Sequence, residues 1–86
     1  PYGFYVLVRL DFTRLMIEVA ICNKDHVVVK IFRGARARDI YDAIFQYEKK
    51  HQQVWFKDKG HAAYLGKELK KAELALTLGQ NNYFQE

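Results

Sequence analysis

Residues 27–40 read Val27-Val28-Val29-Lys30-Ile31-Phe32-Arg33-Gly34-Ala35-Arg36-Ala37-Arg38-Asp39-Ile40, and the fold turns on what changes inside them. Up to Arg33 the stretch is rich in β-branched and aromatic residues, the composition of a strand. Past Gly34 the apolar residues spread out: Ala37, Ile40, Ile44 and Tyr47 recur at helical intervals. Asp39 stands near the start, where the positive end of a helix dipole favours an acid. The spacing predicts a helix over 36–50, and Gly34 marks the junction between a β half and an α half.

Upstream of that junction the apolar residues alternate with period two, as in strands with one buried face. Phe4, Val6, Val8 and Leu10 share a face in the first segment, Leu15, Ile17, Val19 and Ile21 in the second, and Val27, Val29 and Ile31 in the third. Strands are predicted over 4–10, 15–22 and 26–33. The breaks between them, around Asp11–Arg14 and at Asn23-Lys24-Asp25, are too short for a parallel crossover, so the pairing is antiparallel. The opposite face carries Arg9, Glu18 and Lys30, but also Tyr5, Leu7, Met16, Ala20, Val28 and Phe32. That is more apolar than a face meant for water alone. Self-association or docking on another domain is expected there, through Tyr5, Leu7, Met16 and Phe32.

Downstream, 51–60 has no clean period. Val54-Trp55-Phe56 is an apolar patch that fits a brief extended piece or a loop plug, with Trp55 read chiefly as a core residue. A last helix is predicted over 61–78, with Ala62, Leu65, Leu69, Ala72 and Leu76 as its apolar stripe and Gly79 as its C-cap. The fold class is therefore α+β: a three-stranded antiparallel meander followed by two helices packed on one face.

A chain of 86 residues that is half hydrophobic has room for a single core, and one domain over 1–86 is expected. No apolar run is long enough to span a membrane. Cys22 is the only cysteine, so no internal disulfide can form, and a cytoplasmic, reducing setting is expected. The start at Pro1-Tyr2-Gly3, without an initiator methionine, fits a processed terminus or, preferably, a domain cut from a longer chain. A net charge of +4 permits binding to phosphates or nucleic acid without demanding it. The cations are spread over turns and helices rather than gathered on one aromatic groove, so weak nucleic-acid binding at most is expected.

No catalytic signature stands on its own. The three histidines, His26, His51 and His61, and the lone cysteine show no ligand spacing, so no metal site is predicted. Cys22 reads as a small core residue. Arg33, Arg36 and Arg38 flank a helix start and could hold an anion there, although a solvated basic turn is the plainer reading. The stronger candidate is on the last helix. His61, Tyr64, Glu68 and Lys71 fall on one line beside the apolar stripe and are predicted to meet a ligand or a partner. An ordinary amphipathic boundary with ion pairs is the competing reading. Gly66 interrupts this helix at a cost of about 1 kcal/mol relative to alanine, which points to close packing.

The segment His61-Ala62-Ala63-Tyr64-Leu65-Gly66-Lys67-Glu68-Leu69, with Lys71-Ala72-Glu73, the upstream Ile40-Tyr41 and the ending Tyr83-Phe84-Gln85-Glu86, resembles a known sequence pattern. The pattern belongs to an uncharacterised C-terminal domain appended to pterin-binding, dihydropteroate-synthase-like proteins of archaea and cyanobacteria and to archaeal thymidylate synthases. The resemblance is specific in the second half of the chain and general over the strands. It implies that the tail is native sequence and that the setting is pterin-linked, one-carbon chemistry, with a pterin as the only cofactor it suggests. Gly60 stands where the pattern tends to have aspartate, which puts a helix cap in doubt. Lys67 stands for arginine, which weakens any bidentate anion contact.

The expected function is a non-catalytic accessory or docking module in a pterin-dependent protein or complex. Its partner would be another protein domain or a second copy; the alternatives are that the chain is itself a small basic nucleic-acid-binding domain or a homodimeric structural protein without ligand. An enzyme acting alone is not expected, because so short a chain leaves little room for a substrate cavity.

Overall fold

The computed structural model describes residues 4–56 and 58–79. Strands β1 (Phe4–Asp11), β2 (Met16–Asn23) and β3 (Val28–Gly34) precede helices α1 (Ala37–His51) and α2 (Lys59–Leu78). The sheet order is β1-β2-β3, with both pairings antiparallel, so the meander and the two helices stand as the sequence predicts. The expected ending Tyr83–Glu86 and the start at Pro1 lie outside the described residues.

Both hairpin turns are closed by side chains at the strand ends. Asp11 Oδ1 accepts from the N–H groups of Thr13 and Arg14, each at 3.1 Å. Leu15 then takes a left-handed conformation, with φ 55°. Its side chain is 61% exposed, so it does not join the inner face of β2 as its place in the alternation suggested. In the second turn Asn23 Oδ1 accepts from Asp25 N at 2.9 Å and Val27 N at 3.1 Å. His26 supplies the left-handed residue, with φ 64°.

Ile17, Val19 and Ile21 of the central strand are wholly buried beneath the helices. Phe4, Val6, Val8 and Leu10 of β1 pack beside them on the same face. The third strand departs from expectation. Val19 faces Phe32 and Ile21 faces Lys30, yet Cys22 faces Val28, so Val29 is an extra residue at a bulge. Beyond the bulge the inward residues are Lys30, Phe32 and Gly34, not Val29 and Ile31. Phe32 is therefore core rather than part of the outer face, and Val27 is an exposed turn residue. Lys30 lies against the inner side with its ammonium 4.8 Å from the Tyr47 ring centre, where the aromatic face offsets its charge.

Both helices cover this one face. α1 packs on β3, and α2 packs on β1 and β2. Ile40 sits so close under β3 that a Cβ on Gly34 would stand 2.9 Å from Ile40 Cγ1. The first N–H of α1, from Ala37, is satisfied by α2: Glu73 Oε1 accepts it at 2.6 Å. At the other end of α1, buried Glu48 accepts the N–H groups of Trp55 (2.5 Å) and Phe56 (2.9 Å). These bonds hold the 54–56 patch as a plug over the core. Phe56 is buried, and Trp55 stacks on Tyr47 with rings 5.5 Å apart and nearly parallel.

α2 begins earlier than predicted because Asp58 caps it, Oδ1 accepting from Gly60 N at 2.7 Å. The cap that Gly60 put in doubt is thus supplied two residues upstream. Gly79 ends the helix in a left-handed conformation, as expected.

The outer sheet face is left without a helix. Tyr5, Leu7 and Val28 are about half exposed on it. Ala20 and Cys22 of the central strand are buried between cross-strand neighbours. Charge is confined to one corner, where Glu18 pairs with Arg33 at 2.9 Å and with Arg9 at 3.9 Å.

Candidate functional site

The four polar residues predicted on the last helix do not converge on one point. His61, in the first turn of α2, is partly buried with its ring edge-on to Phe4, 6.4 Å between centres. Tyr64, one turn on, is 65% exposed. Glu68 and Lys71 meet as an ion pair at 3.4 Å. The line therefore runs from the edge of the core to open surface, and its last two members touch through polar atoms.

The three arginines separate as well. Arg33 belongs to the outer sheet face with Glu18. Arg36 occupies the N-cap of α1 and makes no cap bond with its side chain. Arg38 lines a groove between the helices. The α1 N–H that an anion would seek, that of Ala37, already has the Glu73 carboxylate.

That groove is an open trough of about 930 Å³ between α1 and α2. Its apolar surface comes from Ala37 and Tyr41 of α1 and from Ala62, Ala63, Gly66, Leu69 and Leu74 of α2. Its cations are Arg38, Lys67, Lys70 and Lys71, and no carboxylate is among the described residues that line it. The mid-helix glycine is explained here. A Cβ on Gly66 would lie 3.3 Å from Tyr41 Cε2, so the ring rests directly on the α2 backbone. Two separated pieces of the sequence pattern, Ile40-Tyr41 and the segment containing Gly66, thus meet in a single contact.

The groove shares only Lys71 with the polar line singled out on α2. The groove side recurs at Ala63, Gly66, Lys67, Lys70 and Leu74, a helical spacing that was present to be read but carries no chemistry of its own. Among the described residues, no group of three or more His, Cys, Asp or Glu could hold a metal ion. No described helix is long and apolar enough to cross a membrane.

A three-stranded meander with both helices on one face, a bare outer face and a basic interhelical trough defines a small α+β domain. The chain belongs to the PterinBD-DUF4346 family, which matches it over residues 1–86. The family's name associates the domain with pterin binding. No curated protein and no solved structure matches the chain.

Proposed function

We propose that this domain is a non-catalytic accessory module of a pterin-binding, one-carbon protein or complex of the cytoplasm, docked on the pterin-binding domain through its bare sheet face. The observation that carries the reading is the outer face itself. Tyr5, Leu7 and Val28 stay about half exposed on it because both helices lie on the other side. A contiguous apolar patch of this kind marks an interaction surface in a soluble protein. The association with pterin binding in the family name supports a pterin-binding domain as the partner of this patch. On the other side of the sheet, exposed Tyr64 and the Glu68–Lys71 pair of α2 offer a hydroxyl and two charges to a second contact. His61, against Phe4, serves to hold the start of the helix.

The test is co-purification of the tagged domain with the pterin-binding protein of its own genome. Wild type should retain the partner. Leu7→Glu should lose it while keeping the circular-dichroism spectrum, because Leu7 is half exposed on the face away from the helices. Retention by Leu7→Glu, or no association of wild type at all, removes the docking reading. A stable dimer in sedimentation, abolished by Leu7→Glu, would instead put a second copy on this face.

A further inference from the structure

The α1/α2 groove is distinct from the docking face, and its chemistry points to a small ligand. Arg38 lines it from α1, and Lys67 and Lys70 line it from α2. None of these three has an ion-pair partner among the described residues, whereas Lys71 is paired with Glu68. Cations of one sign along a concave wall, with low-dielectric protein behind them, focus a positive potential into the trough. Between them lies apolar surface open to water, including the ring of Tyr41 and half-exposed Leu74. Gly66 keeps that surface flat by letting the Tyr41 ring lie on the helix backbone.

We propose that this groove binds a small organic polyanion with a flat aromatic body. The aromatic part covers the apolar strip, and carboxylates or phosphates meet Arg38, Lys67 and Lys70. The volume, about 930 Å³, is that of a small-molecule site. Naming the ring as a pterin rests on the functional reading above, while the groove's charge and shape do not. A pterin bearing an oligoglutamate tail and one bearing a phosphate share the required chemistry.

The test is calorimetric titration of the 86-residue chain, without any partner protein, with pteroyltriglutamate and with a phosphorylated pterin. Two further ligands serve as comparisons: p-aminobenzoyltriglutamate, which keeps the charges and a smaller ring, and uncharged methylpterin. Lys67→Glu with Lys70→Glu should weaken the polyanions by about tenfold or more, and raising salt from about 50 to about 200 mM should weaken them further. The control pair Lys24→Glu with Lys49→Glu makes the same charge change away from the groove and should leave affinity within about twofold. Amide shifts in NMR should map to Arg38, Tyr41, Lys67 and Lys70. Whichever pterin binds more tightly identifies the anion, and p-aminobenzoyltriglutamate binding equally well keeps the polyanion site while removing the pterin as its ring. No binding by any polyanion overturns the proposal, as do equal losses in both double variants. Tighter binding of a single-stranded oligonucleotide to the same residues overturns it in favour of nucleic acid. Because the docking assay uses sheet-face variants and no ligand, failure of one reading leaves the other standing.

Discussion

Glu48 is the only charged or polar side chain among the buried residues described, and its burial follows from the two N–H groups it accepts in the 55–56 plug. A buried donor stripped of its acceptor costs about 1–3 kcal/mol, so Glu48→Ala should lower unfolding stability by about 2–3 kcal/mol and loosen Trp55 fluorescence. A loss below about 0.5 kcal/mol in urea unfolding would show that water satisfies those groups equally well. Glu73 caps the opposite end of the same helix from 36 residues away in sequence. Glu73→Ala should cost about 1 kcal/mol, the usual loss for a removed N-terminal cap. Neither role could be read from the sequence. Glu48 follows Ile44 by four positions on the buried stripe, which argues for an apolar residue there, and only the fold shows which backbone groups need it. Gly66, by contrast, was legible as a packing residue, since a mid-helix glycine has a cost that some contact must offset. The partner ring, Tyr41, was not.

At the scale of the element, β3 is the instructive case. Alternation decides a face only when the two faces differ in polarity, and Val27 to Phe32 is apolar at nearly every position. One extra residue at the Val29 bulge then exchanges inside for outside. The register makes a sharp prediction. Phe32→Ala should destabilise by about 3–5 kcal/mol, as a large core truncation does. Ile31→Thr should change stability by about 1 kcal/mol or less, since its face has no helix over it. The opposite ranking in thermal unfolding would restore the face that simple alternation indicated. The other strands and both helices were legible because charged or turn-forming residues break their patterns cleanly. Asn23 and Asp11, for instance, close turns with their own carboxamide and carboxylate.

For the molecule as a whole, surface charge and core stability should separate. Lys67 and Lys70 are exposed and unpaired among the described residues. Reversing both should move the unfolding midpoint by no more than about 0.5 kcal/mol in stability, even where ligand affinity collapses. A large loss would mean that these lysines are structural. Location of the groove escaped the sequence because it arises between helices separated by the 52–58 loop, and nothing in either helix alone announces a shared wall. The same arrangement has a consequence in time. The later helix, α2, covers β1 and β2, while α1 packs chiefly on β3. A nascent chain therefore carries Ile17, Val19 and Ile21 without their α2 cover until that helix arrives, and α1 lacks the Glu73 cap in the same interval. Contacts between distant parts of the sequence are slow to reward the chain that forms them. A ribosome stalled before residue 59 would thus display a sticky, half-roofed sheet, a client for chaperones rather than a folding intermediate with a shape of its own.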